Sequence, residues 1–296
     1  MLNPHNNRLR RELSQDEVTQ ASSHNERLAL AASRMRLRSL SMVDIRLGLL
    51  KYVPQYIERE NQVHEQTKII WQYWNQGRQN APEIVKSCLN SVERHGKNFQ
   101  IIMLDDGNLN DYIELPKLIR EKLGFIPIAH LSDLIRLLLL QKFGGLWIDA
   151  TVFLTDGIPD TIQDSPFFAF TRPSDPFLFS SWFLKSTSQH ALTEIILEAL
   201  LNYWKENDTL CDYFLFHHMF EAVTEVHPSL RELWCSSPIF SSHDAHLMQH
   251  NLHTSIEDID LDLIMSKSFA HKLTYKLENK TLKVNSLFSS ICMLSN

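Results

Sequence analysis

Glycine is scarce in this 296-residue chain, with only 8 residues, and neither a GxGxxG nor a GxxxxGK run is present. That excludes the glycine-rich phosphate loops of dinucleotide-binding and P-loop proteins. Cysteine is scarce too: Cys88, Cys211, Cys235 and Cys292 stand far apart, with no CxxC pair. A disulfide scaffold is excluded, and free thiols in a reducing compartment, by default the cytosol, are expected. No secretory or membrane-spanning stretch is found. The opening MLNPHNNRLRRELSQDE continues into polar residues, and the most apolar region, Ala129 to Leu154, is interrupted by Asp133, Arg136, Lys142 and Asp149. Internal repeats and low-complexity tracts are lacking as well. With 44% hydrophobic and 22% charged residues, what remains is an ordinary globular composition.

The net charge of −6 is unevenly spread: residues 1–51 hold nine Lys and Arg against five Asp and Glu, +4, leaving the remainder at −10. An acidic body argues against a nucleic-acid partner. The basic arm contains no β-rich run. Arg27 to Arg38 is Ala/Leu/Arg-rich, and Val43 to Ile57 places Ile45, Leu49 and Val53 on one helical face. Two readings stand for it, a helical appendage of the main domain or a docking element for an anionic membrane surface or a partner. The chain is therefore divided into a helical extension, residues 1–60, and one domain, residues 61–296.

From Lys68 the pattern changes. KIIWQYW reads as a buried strand, Pro82 opens a helix running to about His95, and FQIIMLDD is a second strand meeting the turn Asp106-Gly107-Asn108. After a short helix near Pro116 to Leu123, a helix is expected over Ser132 to Phe143. Gly144-Gly145 stops it, and one strand follows from Leu146 to Phe153. Strand and helix in alternation imply an α/β protein with a mostly parallel sheet, and ligands bind beyond the carboxyl ends of such strands. Further on, strands are expected at Phe167 to Thr171 and Trp182 to Leu184, helices at His190 to Lys205 and Asp212 to Thr224, and a strand at HKLTYKL.

The helix over Ser132 to Phe143 is apolar on almost every side, yet Asp133 and Arg136 sit in it three residues apart, on one face. Buried charges must be paired. Either the two satisfy each other as a salt bridge, or they are presented together to a polyhydroxyl ligand. Asp149, an acid within an apolar strand, is a further costly placement that suits a metal or ribose contact. His243, His246, His250 and His253 have helical spacing that imitates a metal site, but a solvated face accounts for them better.

SDLIRLLLLQKFGGLWIDAT resembles the signature of glycosyltransferases with DxD-type sugar-binding motifs, family 32, and more closely their capsular polysaccharide synthesis branch. The resemblance covers roughly residues 66 to 280. It implies a GT-A (Rossmann-like) fold, a nucleotide-sugar donor, and transfer with retention of anomeric configuration. By the same resemblance Asp133 and Arg136 hold donor sugar hydroxyls, Trp147 precedes the motif, and Asp149 is its first acid, followed by Ala150. Trp71 at the end of the first strand would stack on the nucleobase, with Gln72 beside it. Asp212 and His217 match positions recurring in the capsular branch, with an acceptor-side or sugar-side role. His271 and Lys272 would close the diphosphate site near the C-terminus. The second motif acid is Thr151 here, a much weaker ligand than a carboxylate. Mn²⁺ or Mg²⁺ is then expected to be held by Asp149, waters and the donor's diphosphate.

The resulting expectation is a retaining hexosyltransferase using a UDP-sugar and a surface or capsular glycan or glycolipid acceptor. It would be cytoplasmic, or peripheral at the inner face of the membrane. A non-catalytic nucleotide-sugar-binding scaffold is the alternative suggested by Thr151. A nucleotidyltransferase is a third reading, weakened by the missing phosphate loop.

Overall fold

Pro54 decides where the arm's second helix stops. In the computed structural model, which describes residues 41–58, 67–172, 179–276 and 285–294, residues 41–49 are helical. A single 3₁₀ turn, Leu50–Tyr52, follows, and Val53 is already extended at φ −70°, ψ 118°. The helix expected as far as Ile57 is therefore cut short, because proline disfavours helical geometry in the residue before it. The Arg27 to Arg38 helix lies outside the described residues. From Leu49 onward the chain forms one compact unit.

Its centre is a five-stranded sheet in the order β2-β1-β3-β6-β5. The strands are β1 (Ile69–Tyr73), β2 (Gln100–Leu104), β3 (Gly145–Ile148), β5 (Phe167–Thr171) and β6 (Phe179–Ser186). β2, β1 and β3 run parallel, while β6 is antiparallel to both β3 and β5. This is the expected α/β architecture, a parallel core extended by two antiparallel strands and flanked by helices. Between β1 and β2 runs α1 (Glu83–His95), and before β3 runs α2 (Ile128–Phe143). The two helices cover opposite faces. Val92 of α1 packs with Ile70, Leu146 and Ile148, whereas the alternate residue Trp71 meets Phe143 of α2. The chain thus leaves β1 to one side for β2 and returns to the other for β3. The strand order reverses at β1, which places a ligand crevice at the carboxyl ends of β1 and β3.

α2 begins after Pro127, a turn earlier than the charge pattern suggested. Its all-round hydrophobicity is explained by its position between β1, β3 and β6 on one side and α3 (Ala191–Glu206) on the other. Leu134, Ile135, Leu137, Leu139 and Leu140 are all buried, each contributing about 1.5–3 kcal/mol of transfer free energy. The double glycine after α2 is a steric requirement. Gly144 and Gly145 have φ of +68° and +101°, and a Cβ on Gly145 would lie 2.6 Å from the Ile69 carbonyl of the neighbouring strand.

The single strand expected from Leu146 to Phe153 is in fact two strands in two sheets. Asp149 still donates its N–H to the Trp182 carbonyl at 2.9 Å, but the Val152 N–H returns to the Asp149 carbonyl and closes a turn. β4 (Val152–Leu154) then pairs antiparallel with β7 (Ala270–Lys272), Lys272 opposite Val152. Between β6 and β7 come α3, α4 (Leu215–Val226) and α5 (Ser242–His250). Asp212, placed at the start of α4 by the sequence, lies just before it.

Candidate active site

The turn Asp149-Ala150-Thr151 sits where β3 ends, and four charged side chains converge on it. Asp149 Oδ1 accepts hydrogen bonds from Arg136 Nη2 at 2.9 Å and from Trp147 Nε1 at 2.7 Å. Trp147 and Asp149 are two residues apart, so strand alternation puts both on the α2 face. Asp149 Oδ2 accepts from Lys272 Nζ at 2.6 Å, and the same ammonium donates to Thr151 Oγ1 at 2.6 Å. One turn along α2, Arg136 Nη1 donates to Asp133 Oδ1 at 2.7 Å. Carboxylate, guanidinium, carboxylate and ammonium therefore alternate in one connected row. The guanidinium also lies 4.9 Å from the Trp147 ring centre and 5.8 Å from that of Phe216 on α4, within cation–π range.

Exposure sorts these groups by role. The Arg136 side chain is 4% exposed and Asp133 14%, whereas Asp149 and Lys272 are 23% and 20% exposed. Arg136 is an enclosed brace that bonds one carboxylate through each Nη atom, and its 4% exposure makes it a group that positions them. Burial pushes the Asp133 carboxyl up to about 7, with Arg136 pulling it back and Asp149 adding to the rise. Asp149 is desolvated too, but Lys272 and Arg136 outweigh that and hold its carboxyl below the usual range. Two carboxyls about one side chain apart are thus driven in opposite directions by their surroundings. His130, one turn before Asp133, brings Nδ1 to 3.6 Å from Asp133 Oδ2. Its ring meets Tyr213 edge-on.

Other residues singled out in the sequence divide around this row. Trp71 is 1% exposed. Its Nε1 donates to the Gly144 carbonyl at 2.9 Å and its ring packs on Tyr112 and Phe143, so no ring face is open to a nucleobase. Gln72 points to the α1 face, buried, with Nε2 lacking a hydrogen-bond partner among the described residues. The aromatic that borders the turn is Trp74, packed on the apolar cluster that includes Ala150 and Leu273. It stands edge-on to Tyr275 with ring centres 5.1 Å apart, and its Nε1 is also without a hydrogen-bond partner among the described residues. His271 and Lys272 point to opposite sides of β7. Lys272 reaches Asp149, while His271 is fully buried with Nε2 3.4 Å from Thr155 Oγ1 and is held by burial down to about 4. His271 therefore does not reach the row.

Asp212 and His217 border the site from α4. Asp212 Oδ1 accepts the Phe214 N–H at 2.7 Å and lies 3.5 Å from His218 Nε2, an Asx-type turn leading into the helix. His217 packs on the rings of Phe179 and Phe214. Burial, then Arg172 and Arg136, push its imidazole down to about 3, so it is neutral at pH 7. On α5, His243 and His250 are exposed and His246 is half-buried against the Ser242 carbonyl. Among the described residues, no cluster of three His, Cys, Asp or Glu is placed to hold a metal ion. A cavity of about 410 Å³ opens beyond β1 and β2, lined by Tyr73, Asp106, Leu109, Ile126, Ile128 and Leu131. Its walls include none of the charged row.

The arrangement at Asp149 does not fit a protein-held divalent cation. Arg136 Nη2 lies 2.9 Å from Asp149 Oδ1, and Lys272 Nζ lies 2.6 Å from both Asp149 Oδ2 and Thr151 Oγ1, so two positive charges stand where the ion would have to enter.

The O-glycosyltransferase braB of Annulohypoxylon truncatum is 26% identical over 56% of this chain and 42% of its own length. The O-glycosyltransferase PaGT of Phomopsis amygdali is 27% identical over 49% of this chain and 40% of its own. The chain thus spans about two fifths of the length of these relatives. Among solved structures, the PaToxG glycosyltransferase aligns over 68% of this chain and 83% of its own, at 13% identity and a TM-score of 0.41. No described helix is long and apolar enough to cross a membrane. A family model described as capsular polysaccharide synthesis protein matches residues 38–291, nearly the whole chain, and the protein belongs to that family.

Proposed function

We propose that the chain is a retaining glycosyltransferase that moves a hexose from a uridine diphosphate sugar to a hydroxyl of a surface glycan or glycolipid. The observation that carries this reading is the charged row at the carboxyl ends of β1 and β3, with two mostly buried carboxylates braced by one enclosed guanidinium. Carboxylates held in this way suit paired sugar hydroxyls, since charge-assisted hydrogen bonds are strong and directional. In the reaction the bond between the anomeric carbon and the β-phosphate oxygen breaks, and its electron pair stays on the nucleoside diphosphate. The acceptor oxygen bonds to the anomeric carbon on the face just vacated, and its proton passes to the departing phosphate oxygen. Asp133 and Asp149 hold the sugar, Trp74 borders the nucleobase, and Asp212 and His217 line the acceptor side. The two relatives named as O-glycosyltransferases support transfer to an oxygen. Retention and the uridine base rest on the sequence resemblance. The basic arm, at +4 over residues 1–51, suits an anionic membrane surface on which such an acceptor is held.

The test is a screen of UDP-glucose, UDP-galactose and their N-acetyl forms by mass spectrometry, following release of UDP. One donor is expected to turn over, and Asp133→Asn and Arg136→Ala each to lower that rate by about two orders of magnitude. Donor binding with no release of UDP by the wild-type chain would mark a binding scaffold instead.

A further inference from the structure

We propose that the Lys272 ammonium is the resident cation of this site, so that the donor's diphosphate is held and released without a divalent metal. The proposal rests on the donor reading above and names the group that neutralises the leaving diphosphate.

The lysine is delivered by the backbone. β7 pairs with β4 so that Lys272 faces Val152, and the Leu273 N–H donates to the Thr151 carbonyl at 2.8 Å. The chain is thereby clamped on both sides of Thr151, and the side chain enters from a strand 123 residues away in sequence. Its Nζ is 2.6 Å from Asp149 Oδ2 and 2.6 Å from Thr151 Oγ1. Those are the two side chains on which the sequence motif would place a metal. An ammonium has three N–H donors. Two are used in these bonds, and the third is left for a ligand oxygen on the exposed side of the group.

Charge balance favours the same assignment. Asp149 carries one negative charge and Thr151 none, and Arg136 already leans on Asp149 at 2.9 Å. One ammonium leaves this end of the row near neutral. A divalent ion in its place would set two further positive charges beside a guanidinium, with a single carboxylate between them. A hydroxyl in place of a second motif acid is then matched to a monovalent cation. When the sugar–phosphate bond breaks, the electron pair left on the phosphate oxygen meets an N–H donor already oriented by Asp149 and Thr151, which is how preorganised donors stabilise a leaving anion.

Calorimetric titration of UDP and of GDP into the full chain tests this, once in EDTA and once in Mn²⁺. The better-bound nucleotide is expected to show equal affinity in both, within about threefold, and the magnetic resonance signal of Mn²⁺ mixed with nucleotide is expected not to change further when protein is added. Lys272→Met should weaken binding by about 10- to 100-fold, the range of a charge-assisted contact. Lys272→Arg, which keeps the charge, should recover much of it. The double variant Thr151→Asp with Lys272→Met should bind the nucleotide again only when Mn²⁺ is present. Thermal melts of each variant separate loss of binding from loss of fold. Wild-type binding that collapses in EDTA and returns with Mn²⁺ overturns the proposal, as does unchanged affinity in folded Lys272→Met. Failure of both nucleotides to bind under either condition overturns the donor reading itself, and this proposal with it.

Discussion

Asp133→Asn is expected to make the protein more stable at alkaline pH while lowering its turnover sharply. The wild-type carboxyl is pushed up to about 7 from the ordinary 3.8, chiefly by burial. A carboxyl raised in the folded state binds its proton more tightly there than in the unfolded chain. Its contribution to stability is therefore complete below pH 4 and is lost as pH rises toward 7. At about 1.4 kcal/mol per pH unit, that gap of roughly three units sets the loss at about 4 kcal/mol by pH 8, an upper bound because the side chain keeps 14% of its exposure. Asparagine has nearly the same shape, can still accept from Arg136 Nη1 through its carbonyl oxygen, and does not titrate. Urea denaturation of both proteins at several pH values from 4 to 8 should show a stability difference that is small at pH 4 and grows with pH in favour of the variant. Taking the difference at each pH cancels the buried histidines, which are common to both. Turnover should meanwhile fall by about two orders of magnitude. Stability given up for a charged group at a working site is a recognised trade. If Asp133→Asn instead loses stability at pH 8 and keeps its turnover per folded molecule, the Asp133–Arg136 pair is a structural salt bridge and the sugar-holding role is wrong.

Gly145→Ala should cost about 2–3 kcal/mol or more, since φ is +101° and the new Cβ meets the Ile69 carbonyl at 2.6 Å; a melting temperature within a degree of wild type would contradict the close approach of β1 and β3. His271 is held down to about 4 by burial, so the folded protein favours the neutral ring. Its contribution is present above pH 6.5 and lost as pH falls toward 4, worth up to about 3 kcal/mol. Acid melts of His271→Gln should be flatter over that window, and an unchanged slope would rule this histidine out as the cause. Trp71→Phe should lower stability, because the bond to the Gly144 carbonyl is lost, and leave UDP affinity unchanged. Trp74→Ala should do the reverse in a calorimetric titration, and equal affinity losses in the two variants would refute the assignment of the base to Trp74.

Most elements could be read from the sequence because each has a local cause. α1 follows a proline, β1 and β2 are short apolar runs, and the double glycine stops α2 where left-handed backbone is needed, although α2 itself starts a turn before the Ser132 read from the sequence. The pairing of Asp133 with Arg136 was legible as one of two readings, because charges in an apolar helix must find a partner, while the bond from Arg136 to Asp149 was not. What could not be read depends on register. Alternation says that only one of His271 and Lys272 can face Asp149, but which one is decided by the pairing of β7 with β4, fixed by contacts between distant parts of the chain. The strand expected through Asp149 breaks there for a related reason. A residue at the end of β3 that still bonds to β6, while the next three residues turn to find β7, carries no mark in its own sequence neighbourhood. The same parity separates the tryptophans. With Trp71 paired to Trp147, Trp71 must lie on the α2 face among Tyr112 and Phe143, and Trp74, beyond the strand's end, is released toward the turn. His130 was missed because a lone histidine in an apolar helix has no local signature. Only its 3.6 Å approach to Asp133 identifies it. The same register that carries Lys272 to Asp149 turns His271 into the interior, so one backbone pairing both supplies the site with its cation and withholds the neighbouring imidazole.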